Sequence, residues 1–291
     1  MTRDEVVLRQ HEGQYVLAFG EHALTVDPAY GGRVVSFSLA GHNVLAGREV
    51  VAAGDLGMQN NFGSTFWTSP QSDWGWPPEE ALDRSPYEAQ VEGAVLALHS
   101  RAGEKTGYAV TKRFRADAAR KRVSIDYELV NVSATRPAAP WQVSRVRKAY
   151  GVVFFPSEGD PVAPSTLESV RVDGVAWFDA ALAPARDGKL FHDGSEGWLA
   201  YTDGQYLLVK AFEDVARSEQ APGEADVELY VNDLYDYMEL EVQGRYQAPA
   251  PGARATWRVD WYLRRLPERL EARVGNPELV RFVRELLASG T

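Results

Sequence analysis

The sequence predicts an all-β protein in which antiparallel strands form a large two-sheet sandwich, with one short helix at the C-terminal end. Three observations support this fold class. Many short segments rich in Val, Tyr and Trp place apolar residues at every second position, as half-buried strands do. Turn signals built from Gly, Pro and Asn recur roughly every ten residues. Only the last part of the chain shows the apolar spacing of an amphipathic helix.

The strand pattern continues along most of the chain without a linker-like stretch or an internal repeat. We therefore predict a single domain over residues 1–291, with its core at about 20–265. Near the C-terminus, Asn276 and Pro277 are typical of a helix start, and the apolar residues that follow share one face, which predicts a helix over 276–288 that covers a sheet edge. The predicted strands lie at 23–26, 33–39, 44–45, 91–98, 108–115, 123–129, 198–201, 206–212, 227–231, 237–243 and 255–263.

Charge and composition exclude several function classes. The 31 Lys and Arg residues against 41 Asp and Glu residues give a net charge of −10, which does not suit a nucleic-acid partner. The absence of cysteine excludes disulfides and thiolate chemistry. No apolar leader follows Met1 and no stretch is long enough to cross a membrane, so we expect a soluble, cytoplasmic protein with no membrane partner. The oligomeric state is not predicted.

The segment 61–78 is the most unusual part of the sequence, because it holds three of the eight tryptophans. Flat aromatic faces beside amides and a carboxylate suit a pyranose ring, which has C–H groups on its face and hydroxyls around its rim. The alternative is that the tryptophans pin a Pro-rich loop onto the core. Of the three, Trp74 and Trp76 are the expected exposed pair. The candidate sugar-binding residues in this segment are Trp67, Gln71, Asp73, Trp74 and Trp76.

A second candidate is the acidic strand at 237–243. Strand alternation places Glu239 and Glu241 on one face and the apolar residues between them on the other. Two carboxylates on one face could serve as a base and a hydroxyl acceptor, and their repulsion could raise the pKa of one of them. The alternative is the solvated polar face of a surface strand.

Two further segments supply candidate polar groups. In the predicted strand near residue 141, Trp141 and Arg145 lie on one side and Gln142 on the other, so either side could reach a ligand. His192 stands beside Asp193 in a Gly-bounded turn and could act as a general acid, unless the Asp-Gly pair serves only the turn. No metal-ligand spacing and no Gly-rich phosphate loop is present, so neither a metal nor a cofactor is predicted.

Several blocks, taken in order, resemble the galactose mutarotase-like (aldose 1-epimerase) superfamily. The first is a Gly31-Gly32-Arg33 turn within 24–36, followed by a short Gly-x-x-x-Leu hairpin at 41–45. The order and spacing of the blocks carry the resemblance, which spans about residues 20–265 and indicates a divergent branch. The later blocks lie at 63–78, 141–145, 197–201, 239–244 and 249–252.

The resemblance implies a super-β-sandwich with a sugar-binding concave face. In the mutarotases of this superfamily, a His and a Glu act as acid and base to open and reclose the pyranose ring. Here the position expected for the acid His falls near Trp141 or Gln142, and no His is present there. The resemblance places the base at Glu239 or Glu241, so a rearranged pair would set His192 or Arg145 against one of them.

Three functions remain open from the sequence. The first is an epimerase-like isomerase that opens a sugar ring by acid and base catalysis. The second is a non-catalytic carbohydrate-binding protein of the same fold, which would use its tryptophans as stacking surfaces. The third is a structural or partner-binding sandwich. In the first two, the partner is a small saccharide.

Overall fold

The computed structural model of the protein describes residues 5–51, 60–149, 151–183 and 186–289. Within these residues the chain forms two antiparallel sheets of ten strands each, and the C-terminal part forms a helix. The predicted all-β sandwich with one short C-terminal helix is therefore confirmed. No helix of the described residues is long and apolar enough to cross a membrane.

Twenty strands make up the two sheets. In chain order they are β1 (Val6–His11), β2 (Gln14–Phe19), β3 (His22–Asp27), β4 (Arg33–Leu39), β5 (His42–Asn43), β6 (Ser64–Ser69), β7 (Glu88–Glu92), β8 (Val95–His99), β9 (Tyr108–Asp117), β10 (Arg122–Asn131), β11 (Ala139–Val146), β12 (Val152–Pro156), β13 (Val170–Val172), β14 (Val175–Asp179), β15 (Gly188–His192), β16 (Trp198–Thr202), β17 (Tyr206–Phe212), β18 (Val227–Val231), β19 (Met238–Gln243) and β20 (Arg254–Arg265).

The first sheet has the order β1-β2-β3-β4-β6-β11-β19-β18-β15, with β5 paired to β4. The second sheet has the order β13-β14-β12-β16-β17-β20-β10-β9-β8-β7. The C-terminal helix α2 (Pro277–Ala288) follows the last strand. Short helical segments between the strands are α1 (Glu80–Asp83) and 3₁₀ turns at Arg48–Val50, Gln71–Asp73, Ala180–Leu182 and Arg217–Glu219.

The main core lies between the two sheets. Phe66 and Leu240 of the first sheet and Ile125 and Val259 of the second are among its fully buried residues. Since residues alternate along each strand, the neighbours of Leu240, which are Glu239 and Glu241, must leave the first sheet on its outer face. Of the β19 side chains, only those on the face opposite the core are therefore available to a site on the outer face of the sheet.

The C-terminal helix begins as predicted, because the side chain of Asn276 accepts the backbone N–H of Glu278 and Pro277 follows it. Its apolar face packs against the outer face of the second sheet, where Trp177 and Trp198 are buried. The expectation that it covers a sheet edge is therefore wrong. A helix with a wide apolar stripe buries more surface on the broad face of a sheet than at an edge.

Candidate functional site

The candidate site lies on the outer face of the first sheet, opposite the core. Glu239 and Glu241 share this face, as strand alternation requires, but they are only 5% and 0% exposed. The alternative of a solvated polar strand therefore does not describe them. The loop that follows β6 covers this part of the sheet, since Gln71 donates its backbone N–H to Glu224 at 2.8 Å. Buried carboxylates need partners, and the neighbouring strands supply them.

A cavity of about 320 Å³ opens beside Glu239. Strand register places four polar or charged side chains in one row across the floor of this region, because Glu239 pairs with Arg145 on one side and Tyr230 on the other, and Tyr230 pairs with Lys189. The row crosses β11, β19, β18 and β15 in that order. The residues that line the cavity are Asn61, Trp67, Gln71, Trp76, Lys189, Tyr230 and Glu239.

Arg145 holds Glu239 in place. Its Nε donates to Oε1 of Glu239 at 2.8 Å, and its guanidinium lies 5.2 Å from the ring centre of Trp67. The Arg145 side chain is fully buried, yet its two terminal nitrogens have no hydrogen-bond partner within the described residues. The other carboxylate oxygen of Glu239 likewise has no partner there. The pair therefore leaves both donor and acceptor capacity unused beside the cavity.

Lys189 bridges two buried carboxylates. Its Nζ lies 2.6 and 2.7 Å from the two oxygens of Glu241 and 2.8 Å from Glu228. Burial raises the pKa of Glu241 to about 8 and that of Glu228 to about 7, against the opposing pull of the Lys189 ammonium. Burial alone would lower the pKa of Lys189, but the two carboxylates outweigh it and raise the pKa.

These pKa directions give a testable pH dependence. Because the folded protein holds a proton on Glu241 that the unfolded chain releases near its ordinary pKa of 4.5, the associated stability is lost as the pH rises from about 4.5 towards 8. We expect Glu241→Gln to remove this dependence. Relative to the variant, the wild type should lose up to about 1.4 kcal/mol of unfolding free energy per pH unit in that window, measured by urea denaturation.

The control for this experiment is Glu88→Gln, which changes an exposed glutamate on the edge strand β7. Its difference from the wild type should stay constant with pH. If the difference between the wild type and Glu241→Gln is also constant from pH 5 to pH 8, Glu241 is ionised throughout and the assignment of its raised pKa is wrong.

A second ion pair anchors the tryptophan side of the cavity. Oδ1 of Asp83 accepts from Arg33 at 3.0 Å, Thr65 at 3.0 Å and the indole N–H of Trp67 at 2.9 Å. Burial would raise the pKa of Asp83, but the Arg33 guanidinium and these hydrogen bonds hold it below its usual value. The turn before Arg33 requires glycine, since a Cβ on Gly31 would lie 1.9 Å from the carbonyl oxygen of Asp83.

The tryptophans divide into a buried group and one exposed member. Trp67, Trp74 and Trp141 are 4%, 7% and 0% exposed and pack together with ring centres 5.4–6.3 Å apart. Trp76 is 50% exposed and meets Trp67 edge to face at 6.2 Å. The expectation that Trp74 is exposed is therefore wrong, because its indole N–H donates to the Thr68 carbonyl and holds the loop to the sheet.

The remaining candidates from segment 61–78 lie on two sides of one short turn. Gln71 lines the cavity beside Trp76. Asp73 instead pairs with Arg136 at 2.8 Å and lines a different cavity. The structure thus brings Trp67, Gln71 and Trp76 to Glu239 and separates Asp73 from them.

Two predicted site residues point into the protein interior, away from the cavity. Gln142 is fully buried and hydrogen-bonds across the sandwich to Tyr127 and Trp261. His192 is 1% exposed, and its Nδ1 lies 2.8 Å from Oγ of Ser157. Neither lines this cavity, because each lies one residue out of phase with the side chains that face it.

Sequence reasoning did not select Asn61, Lys189 and Tyr230 as site residues. Lys189 and His192 are three residues apart on β15, so an alternating strand must place them on opposite faces. The alternation along β15 therefore indicated that Lys189 and His192 could not both face the same site. Tyr230 reaches the cavity because β18 pairs with β19, and Asn61 reaches it from the loop before β6. The local sequence shows neither the pairing nor the path of the loop.

The arrangement of the two stacked sheets is similar to the β-sandwich of solved galactose mutarotase-like structures. A candidate aldose 1-epimerase from Escherichia coli K12 superposes with a TM-score of 0.59 at 13% identity, over 90% of this chain and 100% of that one. The chain belongs to the family of the domain of unknown function DUF4380, whose model matches residues 14–264.

Two further solved structures support the same fold. A galactose mutarotase-like protein from Clostridium acetobutylicum has a TM-score of 0.53 at 10% identity, over 91% of this chain and 100% of that one. A galactose mutarotase related enzyme from Lactobacillus acidophilus has a TM-score of 0.56 at 8% identity, over 90% of this chain and 100% of that one. A search of curated proteins found no match. Identities this low establish the fold and nothing finer.

Proposed function

We propose that the protein binds a saccharide in the cavity between Trp76 and Glu239. The observation that carries this proposal is the half-exposed indole of Trp76 on a cavity whose other walls offer amide, carboxylate and ammonium groups. An aromatic face suits the C–H face of a pyranose, and mixed donors and acceptors suit its hydroxyls. A volume of about 320 Å³ is sufficient for a small ligand. The fold of the similar structures, described as epimerases and mutarotases, also favours a sugar.

Binding has more support than ring opening. Opening an aldose ring requires a base for the anomeric hydroxyl proton and an acid for the ring oxygen. The second carboxylate oxygen of Glu239 has no partner among the described residues, so Glu239 could act as the base. The possible acids on the cavity are poor donors, because two carboxylates raise the pKa of Lys189 and burial raises the pKa of Tyr230.

The test is a titration of a panel of neutral mono- and disaccharides, followed through tryptophan fluorescence and indole N–H chemical shifts. We expect saturable binding that Trp76→Ala weakens about tenfold, since the sugar loses an apolar contact worth roughly 1–2 kcal/mol. Glu239→Gln keeps an acceptor for Arg145 but removes the charge, and should weaken binding by roughly tenfold or more. Val170→Ala, at an exposed residue of β13 in the other sheet, is the control and should bind normally.

Polarimetry of freshly dissolved aldoses distinguishes the two carbohydrate functions. We expect no acceleration of mutarotation by the wild type. An acceleration that Glu239→Gln abolishes would instead support ring opening with Glu239 as base. If no sugar of the panel binds or reacts, the saccharide proposal is wrong and the third function, a partner-binding sandwich, takes its place.

A further inference from the structure

A second polar cavity of about 270 Å³ lies on the other side of the 3₁₀ turn at Gln71–Asp73. It shares no lining residue with the cavity beside Glu239. Its walls come from the end of β6, the turn before β9 and the turn between β10 and β11. The lining residues are Thr68, Ser69, Pro70, Asp73, Lys105, Thr106, Tyr108, Thr135, Arg136, Pro137 and Ala138.

Three residues that line this cavity carry hydroxyl groups for which the described part of the chain supplies no partner. The side-chain oxygens of Thr68, Ser69 and Thr106 are buried and make no hydrogen bond within the described residues. Thr68 and Ser69 are only 2% and 1% exposed as residues. Buried hydroxyls are normally satisfied, so three unsatisfied ones on a single cavity indicate a polar occupant that accepts their hydrogens.

The charge around the cavity favours an anion. Its lining contains two cations, Lys105 and Arg136, and one carboxylate, Asp73, which Arg136 already neutralises at 2.8 Å. The Lys105 ammonium donates to the carbonyls of Trp74 and Pro77, which leaves its third hydrogen available. A local positive excess in a chain of net charge −10 is suited to a negatively charged group.

The turn that carries Lys105 and Thr106 is held in place by Glu79, which bonds to its backbone. The carboxylate of Glu79 accepts the backbone N–H groups of Lys105 at 2.8 Å and Thr106 at 3.2 Å. Glu79 itself faces a different cavity. Its bonds therefore hold the backbone of the turn in position while the side chains of Lys105 and Thr106 remain available to an occupant.

We propose that this second cavity binds a tetrahedral oxyanion, a phosphate or sulfate group, through the hydroxyls of Thr68, Ser69 and Thr106 and the ammonium of Lys105. The group is either a free ion or the monoester end of a larger molecule. This site is independent of the saccharide site, because no residue that would contact the oxyanion lines the cavity beside Glu239.

The test compares inorganic phosphate, sulfate and methyl phosphate, with chloride added to keep ionic strength constant. Binding is followed by thermal shift and by ³¹P linewidth for the phosphates. We expect saturable binding of at least one oxyanion by the wild type. Binding of methyl phosphate would identify a monoester group as a ligand, whereas binding of the inorganic ions alone would identify a free ion.

Thr68→Val and Thr106→Val remove single hydroxyls without changing side-chain shape, and Ser69→Ala provides a third variant. Each should weaken oxyanion binding by roughly tenfold, because a charge-assisted hydrogen bond is lost. Thr256→Val, at an exposed threonine of β20, is the matched control and should bind normally. Trp76→Ala should also bind the oxyanion normally.

The proposal is overturned if none of the three anions binds saturably to the wild type. It is equally overturned if binding persists unchanged in all the folded hydroxyl variants, since the anion then occupies another part of the surface.

Discussion

Asp83→Ala should lower the free energy of unfolding by about 3–5 kcal/mol, the loss expected when one partner of a buried ion pair is removed. The side chains of Arg33 and Asp83 are 0% and 6% exposed, so the remaining guanidinium would be left without its carboxylate. Trp67 and Thr65 would also lose the acceptor for their buried donors. Since Trp67 lines the candidate cavity, this substitution should weaken sugar binding as well.

Urea denaturation at pH 7 measures the effect. Asp83→Asn retains an oxygen acceptor for the three donors and should recover part of the loss, which separates the contribution of hydrogen bonding from that of charge. The matched control is Glu80→Gln in the exposed pair with Arg84, where a change below about 1 kcal/mol is expected. A loss for Asp83→Ala as small as that of the control would show that the pair does not hold this region together.

Local sequence was sufficient for the fold class and for the start of the last helix, because periodicity and caps are local properties. The alternation around Leu240 placed Glu239 and Glu241 on the face opposite the core, and Asn276 with Pro277 located the start of the last helix. The same local signals did not show β6 or β12 to β15, nor β1 and β2, which the structure places before the first predicted strand. β1 is apolar in its first half and polar in its second, and β2 is almost continuously apolar, so neither shows the period-two pattern that identifies half-buried strands.

The candidate site was only partly predictable because its floor depends on strand pairing. Lys189 reaches Glu241, 52 residues further along the chain, only because β18 lies between β15 and β19. No local pattern reports that order. The burial of Glu239 and Glu241 was not predictable from local sequence either. Their pattern is typical of a solvated strand face, and they are buried because the loop containing Gln71 covers this part of the sheet.

Trp74 shows the same limit for aromatic residues. Its neighbours in sequence are polar and turn-forming, which favours exposure, but its packing against Trp67 and Trp141 decides its position. Trp67 and Trp141 are themselves paired across β6 and β11. A tryptophan in a loop therefore cannot be assigned to solvent or to packing until the sheet beneath that loop is known.

Lys189→Met should produce a loss of stability that grows with pH. The variant keeps the apolar stem but removes the ammonium that lies within 2.8 Å of both Glu228 and Glu241, which are register partners on adjacent strands. At pH 8 we expect a loss of about 3–5 kcal/mol, since the two buried carboxyl groups must then either ionise side by side without a cation or hold protons that the unfolded chain has released.

The loss should be smaller at pH 5 because protonation then relieves the repulsion between the two carboxyl groups. Removing Lys189 takes away the interaction that lowers both of their pKa values, so these move further above the unfolded value and the variant loses stability as the pH rises. Chemical denaturation at pH 5 and pH 8 measures the difference, with Lys121→Met at an exposed turn as the control. Adding Glu228→Gln to Lys189→Met should restore part of the stability at pH 8, because one of the facing charges is removed. A loss for Lys189→Met that is equal at both pH values, with no rescue in the double variant, would show that the lysine does not neutralise this pair.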